Sequence, residues 1–562
     1  MVAKSNEHVG AIDGMADGVT PPPGRLGHAG DHEARGGIAQ YLATQPRSFR
    51  GDWPTIVGLM LALTAFYMPG IGSYGLYDPW ETHYGEVARN MVEADNYIDP
   101  FWGAAWDSGG VKRERHAFYS KPPLIMWMMS AGINLFGFNE FGVRFFFPLL
   151  MMLALVSVYL AVSRFYCRRV GLLATLVSTT TPYIAMMSRQ AVTDGPLVAF
   201  MTIGMMCLGL ALFKIDRTEH ASTGARWVVG TLLALIIIGQ LWAILPMDRS
   251  PDVVRPYVGH QGPFFAIQWW FTEIFTVGAG KGWVVALITL PLVVWTFARL
   301  FRQRSRQLIY VYLFYICCGL VVPTKGWLGW APMGLAIVGY LCISGEWRRL
   351  LDVDVPTGLL IVALTGHLWV LAMLTGHHPA WWNRFIIHDH YKRLFAGVHS
   401  IDSGGFEYFF RWIGYGLFPW IGLLPMAIVR CFAGLREQVR RYSPRQRFEV
   451  LLLLWAVGGF FLFSKSSTKF HHYILPVVPP LSILVALYLD DVLARRARLV
   501  GILLPCAAAL TIWVGQDTYR MPQSFAQGSQ NWVNLFTYKY DRQWAKYTPP
   551  EAMEKLDATK QE

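Results

Sequence analysis

Charge is scarce in this sequence. Only 15% of its 562 residues are Asp, Glu, Lys or Arg, while 54% are hydrophobic and the mean hydropathy is +0.33, a balance that excludes an ordinary soluble globular protein. Cysteine in any metal-ligand spacing is also missing. The seven present (Cys167, Cys207, Cys317, Cys318, Cys342, Cys431 and Cys506) lie inside or at the ends of apolar runs and read as small packing residues. No Gly-rich loop follows a strand, which argues against a nucleotide site, and no internal repeat of the transporter kind is visible. No apolar stretch precedes a cleavage site near the N-terminus, where Pro21-Pro22-Pro23 sits among Gly, Ala and His. Residues 1–52 therefore read as a disordered cytoplasmic tail and not a signal peptide. The net charge of +12 does not imply nucleic acid, because Lys and Arg sit in short clusters between apolar runs, where the positive-inside rule places them.

What is present is a series of membrane-length apolar runs. They fall near 53–73, 143–165, 170–188, 194–213, 225–246, 282–301, 308–324, 327–343, 357–375, 411–430, 448–464, 473–493 and 498–515, each close to the length that crosses about 30 Å of hydrocarbon. A further segment, 122–138, is apolar but short. If it lies in the interface, the basic clusters at Arg164/Arg168/Arg169, Arg299 to Arg306, Arg348/Arg349, Arg430 to Arg447 and Arg495 to Arg498 all share the cytoplasmic side with the N-terminus. If it crosses, that regularity breaks. The sequence thus predicts an all-α polytopic membrane protein of about thirteen transmembrane helices over 53–515, with interfacial helices in a first outer loop at 74–142 and an outer tail at 516–562.

One face then collects the unusual chemistry. The outer loop packs Asp78, Glu81 and Glu86 into nine residues, where charge beside a membrane needs a role or a partner. Tyr84, Val87, Ala88, Met91 and Val92 recur at helical spacing, so a short amphipathic helix is expected there. Asp78 as N-cap, Pro79 at the first position and Glu81 reaching back would form a capping box, an alternative to a catalytic role for either acid. Lys121 precedes Pro122-Pro123, which open a helix; it either snorkels or presents an ammonium to a phosphate head group. Asp194 starts an outer helix, as a cap or as a site residue. Lys325-Gly326 holds a charge at a tight turn between two apolar runs, and something anionic is expected to meet it. The outer 376–410 segment carries His377, His378, His388, His390 and His399 in no recognised zinc spacing, which leaves a divalent metal open and no cofactor certain. Arg384, Lys392 and Arg393, with Lys465, Lys469, His471 and His472, outnumber the nearby acids and suit a phosphate-bearing ligand.

A set of short motifs in fixed order carries a family resemblance. They are Glu81-Thr82-His83-Tyr84-Gly85-Glu86 with Ala88-Arg89, Lys121-Pro122-Pro123, Phe136-Gly137 with Val143-Arg144, Thr193-Asp194 and Lys325-Gly326. Asp389-His390 with Arg393, Pro419 to Pro425, Ser464-Lys465 and Tyr473-Ile474-Leu475-Pro476 complete the set. Over about residues 77–490 the chain resembles the polyprenyl-phosphate-sugar glycosyltransferases of the protein mannosyltransferase superfamily, which have the GT-C membrane fold. Within these it is most like the bacterial aminoarabinose lipid A transferases. The resemblance implies thirteen spans and an enzyme of the bacterial inner membrane, its site facing the periplasm. Its donor would be a polyprenyl-phosphate-linked sugar, its acceptor a lipid or a protein, and membrane lipids would be its other partners. It also implies that Lys121, Arg393 and Tyr473 bind the carrier phosphate, and that Lys325 and Asp194 hold other site positions. The chain departs from the pattern at Trp80, where the family carries an acid before Glu81. The catalytic carboxylate is therefore divided between Glu81, which keeps its place, and Asp78, one turn earlier. His83, Tyr84, Glu86 and Lys465 complete the expected substrate contacts. A protein O-mannosyltransferase-like activity is the alternative within enzymes, and a transporter or flippase the alternative outside them.

Overall fold

The computed structural model describes residues 39–46, 51–77, 80–102, 116–216, 218–244, 281–376, 381–392, 406–433, 442–467, 469–494, 496 and 500–525. The unit Met1–Thr44 contributes only a helical turn at 39–43, and the membrane-length helices all belong to the unit Gln45–Glu562.

Backbone groups in a membrane must satisfy one another, and an apolar chain without strand alternation does so as helix. The second unit opens with α1 (Trp53–Tyr67) and α2 (Trp80–Ala94). Next come a two-stranded antiparallel ribbon in which Phe101 faces Ala117 and Trp102 faces His116, and α3 (Leu124–Phe136). Then come α4 (Glu140–Phe165), α5 (Arg168–Thr180), α6 (Pro182–Met187), α7 (Asp194–Phe213), α8 (Thr223–Ile244), α9 (Lys281–Arg302), α10 (Arg306–Lys325) and α11 (Trp327–Ser344). The last part holds α12 (Val355–Gly366), α13 (Leu368–Gly376), a π-helical segment Trp382–Lys392, α14 (Glu407–Gly416), α15 (Trp420–Ala433), α16 (Pro444–Lys465), α17 (His471–Leu493) and α18 (Val500–Phe525).

Every expected apolar run contains helix among the described residues, but the 53–73 run is helical only through Tyr67 and not every run is one continuous span. Among the described residues, eight helices (α4, α7, α8, α10, α11, α16, α17 and α18) are long and apolar enough to cross, and α14 with α15 pass together only as a pair bent by 117°. The run at 170–188 breaks at Thr181-Pro182, where proline lacks the N–H a helix interior needs. The run at 357–375 breaks at His367. There Gln240 of α8, 5% exposed, donates its amide to the carbonyls of Leu364 (3.3 Å) and Thr365 (2.8 Å). Helix breaks are tolerated at membrane depth only with such help. The short segment 122–138 becomes α3, whose 13 residues span about 20 Å, less than the hydrocarbon thickness.

Packing arranges these helices around two buried ones, α7 and α17. α7 lies against α4 and α10, α5 joins α4 to α17, and α11 packs on α16. At the end of the bundle away from α2 the charges meet in pairs. Arg430 binds Glu449 (2.8 Å) and Asp491 (2.5 Å), and Arg169 binds Asp490 (2.7 Å). Asp52, 1% exposed, binds Arg168 (2.7 Å) and accepts from the Tyr159 hydroxyl (2.8 Å). That corrects the expected boundary: the tail predicted to be disordered through residue 52 ends in an anchored, buried aspartate. At the other terminus α18 carries helix through Phe525, past the expected end of the last span at 515. Residues 1–38 and 526–562 lie outside the described residues.

Candidate functional site

Two charged assemblies lie at the α2 end. The first is closed. Arg144, at the start of α4, and Glu81, in the first turn of α2, are both wholly buried and form a two-bonded ion pair, Nε to Oε1 at 2.8 Å and Nη2 to Oε2 at 2.7 Å. The remaining guanidinium hydrogens go to the carbonyls of Ile71, Tyr74 and Gly75, each at 2.8 Å, so all five donors of the planar fork are used. Glu81 also accepts the backbone N–H of Tyr77 (2.8 Å) and of Ala191 (2.7 Å). Such a pair survives burial only when every remaining lone pair and proton is met, as here. The reach-back expected of a capping box is therefore present but aimed at Tyr77. The larger part of Glu81 serves to tie α2, the 71–77 loop, α4 and the turn before α7 into one piece. Expected as a catalytic acid, Glu81 has no bonding capacity facing the open cavity nearby.

The second assembly is that cavity. It measures about 920 Å³, counted with its mouth, and is lined by Ser120, Lys121, Asp194, Lys325, Asp389, His390, Ser466 and Tyr473 at its polar part, with Met201, Leu328, Leu462, Phe463 and Pro476 among its apolar walls. Lys325 Nζ lies 2.5 Å from Asp194 Oδ1 and 4.9 Å above the Tyr473 ring. Thr193 Oγ1 donates to Asp194 Oδ2 at 3.1 Å. The anion expected to meet Lys325 is thus an aspartate 131 residues away. Asp194 is 1% exposed, whereas the lysine side chain keeps 20% of its surface open. Lys121 is held at 6% exposure just before the prolines that start α3, and donates to the Ser120 carbonyl at 3.3 Å.

Gly326 explains how Lys325 reaches this position. Its φ of +93° suits glycine alone, and a Cβ there would sit 2.2 Å from His390 Nε2. The π-helical segment therefore packs directly over the lysine turn and brings Asp389 and His390 to the cavity. Asp389, 7% exposed, lies 3.5 Å from Arg384 and 3.2 Å from His388 Nδ1.

The other expected contacts lie elsewhere. Tyr84 is buried between the rings of Trp80 and Phe118, and His83 packs edge-on against Trp102. Glu86 binds Arg89 one turn on, at 2.6 Å, and Arg89 also holds Glu93. Lys465 is exposed at the end of α16; its neighbour Ser466 lines the cavity instead. Helical spacing puts residues 83, 84 and 86 around α2, and only a tertiary contact decides which side meets a cavity. Asp78, Arg393, His377, His378 and His399 lie outside the described residues. Among those described, no group of three His, Cys, Asp or Glu side chains could hold a metal ion. Sequence reasoning undervalued Arg144, Asp389 and His390. All three stood in the short motifs quoted from the sequence, and Arg144 gave the further signal of a charge opening an apolar run.

Known proteins share this arrangement of helices. A family model described as "Dolichyl-phosphate-mannose-protein mannosyltransferase" matches residues 120–245. Undecaprenyl phosphate-alpha-4-amino-4-deoxy-L-arabinose arabinosyl transferase 1 of Pseudomonas fluorescens Pf-5 is 26% identical over 445 residues, covering 79% of this chain and 61% of that protein. Transferase 2 of Proteus mirabilis is 23% identical, covering 85% and 68%. The chain thus spans about three fifths to two thirds of the length of such relatives. The crystal structure of ArnT from Cupriavidus metallidurans bound to undecaprenyl phosphate superposes with a TM-score of 0.57 at 19% identity, covering 87% of this chain and 68% of that one. This chain is a polytopic membrane protein with the GT-C fold, similar over most of its length to undecaprenyl-phosphate aminoarabinose transferases.

Proposed function

We propose that this protein is a membrane glycosyltransferase that moves a sugar from a polyprenyl-phosphate carrier to a lipid A-type or other envelope acceptor, at the periplasmic face of a bacterial inner membrane. The observation that carries the reading is the convergence of Lys121, Lys325 and Tyr473, with Asp194, Asp389 and His390, on one cavity that also has an apolar wall. A carrier lipid needs both ends of such a site: ammonium groups for the phosphate and a greasy wall for the chain. The names and bound ligand of the relatives agree with that donor. In this reading all of the thirteen apolar runs lie in the membrane, broken or not.

The chemistry is governed by charge. As the sugar–phosphate bond breaks, negative charge grows on the departing phosphate. Lysines preorganised in a water-poor site stabilise that charge more than water would. Lys325 is already held against Asp194. An arriving phosphate shares the ammonium with that carboxylate, so Asp194 fixes where the positive charge points. Of the three acids expected to act, Glu81 is committed to Arg144 and Asp78 lies outside the described residues. Asp194 is the one that lines the cavity, and its part is to position Lys325 and to orient the acceptor. An acceptor hydroxyl would need a base, worth about 10²- to 10⁴-fold; an acceptor phosphate would not. No nucleotide enters the reaction.

The test is direct. Purified protein in nanodiscs is titrated with undecaprenyl phosphate, and lipid A from cells lacking the gene product is compared with wild type by mass spectrometry. Binding that saturates, weakens about 10- to 100-fold in Lys121→Met, and accompanies a lost lipid A modification supports the reading. An unchanged lipid A profile with altered glycans on secreted proteins moves the acceptor to protein, the reading that the mannosyltransferase family match favours. Absence of binding in the wild type overturns the donor.

A further inference from the structure

Between the cavity and the broken helix α12/α13 runs a chain of contacts that the proposed reaction does not use directly. His367 occupies the break itself. Its Nε2 lies 2.9 Å from the indole Nε1 of Trp327, and its Nδ1 lies 3.3 Å from the Val362 carbonyl. An indole N–H can only donate and a backbone carbonyl can only accept. The two contacts together therefore require one tautomer, with the proton on Nδ1 and the lone pair of Nε2 turned to Trp327. Trp327 in turn packs against His390 (ring centroids 5.6 Å) and Phe385 (6.1 Å), and His390 Nδ1 bonds the Phe385 carbonyl at 2.8 Å. Only Gly326 separates Trp327 from Lys325, and that glycine has no room for a side chain beneath His390.

We infer that His367 is a positioning residue: through its hydrogen bond to Trp327 it fixes the Lys325–Gly326 turn and the His390 wall of the cavity from a site outside the cavity lining. The imidazole sits at the break in the membrane helix, between α12 and α13. His367 keeps helical backbone bonds on both sides, its N–H donating to Ala363 (3.0 Å) and its carbonyl accepting from Leu371 (2.9 Å), so the carbonyls that need outside help are those of Leu364 and Thr365. Gln240 supports the break from the other side, holding the carbonyls of Leu364 and Thr365. The helix interruption, often a mark of a substrate path in transporters, here acts as a rigid strut. Trp327 joins two elements that approach the cavity separately, the turn after α10 and the π-helical segment, so loss of its anchor releases both at once.

This inference rests on the proposed carrier-phosphate reading only for its functional consequence. The test therefore has two arms, using the full chain in nanodiscs. In the first, amide hydrogen exchange is followed by mass spectrometry in the wild type, His367→Leu, His367→Gln and Trp327→Phe. His367→Leu fills the space without an acceptor, and Trp327→Phe removes the donor. Both are expected to raise exchange at least 5-fold in peptides covering 325–327 and 385–390, while peptides of α2 stay as in the wild type. His367→Gln keeps an acceptor oxygen near the Nε2 position and is expected to restore most of the protection. In the second arm, undecaprenyl phosphate affinity falls about 10-fold in His367→Leu and Trp327→Phe, and by no more than that in the double variant.

Unchanged exchange at both segments in His367→Leu would overturn the inference, as would equal loss in the Leu and Gln variants, which would mean packing and not hydrogen bonding. Exchange that rises with affinity unchanged would overturn the link to the ligand. If the wild type itself does not bind undecaprenyl phosphate, it is the donor reading that falls, and the exchange arm still decides whether His367 positions the two segments. Overall unfolding of a variant is recognised by exchange rising in α2 as well, and the Gln variant then carries the comparison.

Discussion

Glu81–Arg144 and Asp194–Lys325 are both carboxylate–cation pairs at one end of the same bundle, yet they differ in completeness. In the first, every donor of the arginine and both oxygens of the glutamate are bonded, and both side chains are shut off from solvent. In the second, the lysine has one carboxylate partner and a tyrosine ring, keeps a fifth of its surface open, and faces a cavity. A saturated pair can only hold structure. An unsaturated one retains capacity for a ligand.

The sharpest way to break this contrast is to remove one cation from each assembly, Arg144 from the saturated pair and Lys121 from the cavity that holds the open one. Arg144→Ala leaves a buried carboxylate without its cation, and the expected cost is about 3–5 kcal/mol of stability, seen as lost membrane expression or a collapsed thermal transition in detergent. Lys121→Met retains the length and apolar stem of the cavity lysine. Its thermal transition should stay near wild type, while affinity for undecaprenyl phosphate falls about 10- to 100-fold, the scale of a charged hydrogen bond worth about 1.5–3 kcal/mol. If Lys121→Met unfolds the protein and Arg144→Ala does not, the assignment of the two assemblies is reversed.

A third, intermediate case lies at the other end of the bundle. Glu346 is held by Arg349 (2.7 Å) and Arg447 (2.8 Å) and accepts from the Tyr340 hydroxyl (3.1 Å). Burial alone would raise its carboxyl pKa, but the two arginines outweigh that and lower it. A lowered folded-state pKa gives stability that is present above the unfolded value of about 4.5 and is lost as pH falls through the folded value. Thermal scans at stepped pH should therefore show an acid loss below that point which Glu346→Gln flattens. The smallest effect belongs to Glu86→Gln on the open surface of α2, where the Arg89 pair contributes at most about 0.5 kcal/mol. Near-normal stability and near-normal binding are both expected, since Glu86 is not among the residues that line the cavity holding Lys121 and Lys325.

How much of this could be read from the residues depends on distance along the chain. Hydropathy is local, so the apolar runs were legible and each contains helix among the described residues, though only eight helices and one bent pair are long enough there to count as spans. The breaks were less so, because a helix interrupted at His367 is permitted by Gln240, which stands 125 residues from Thr365. Lys325 was legible as a charge in want of an anion, since a lysine at a tight membrane turn is costly unpaired, but its partner's identity was not. Glu81, expected as a catalytic acid with a capping reach-back as the alternative, does reach back over its helix start, to Tyr77. Its main partner, 63 residues on, required the tertiary fold. His83, Tyr84 and Glu86 were drawn into the expected site by proximity in sequence, which on a helix spreads side chains around the axis.

The spacing of the saturated pair also bears on how the protein is made. Synthesis runs from the N-terminus, so Glu81 is in the chain 63 residues before Arg144. When α4 inserts, its leading arginine arrives at an end of the membrane where the carboxylate and the carbonyls of Ile71, Tyr74 and Gly75 already exist. The last bond to Glu81, from the Ala191 N–H, waits until α5 and α6 have been added. The clamp is therefore complete only once the chain through Ala191 is in place.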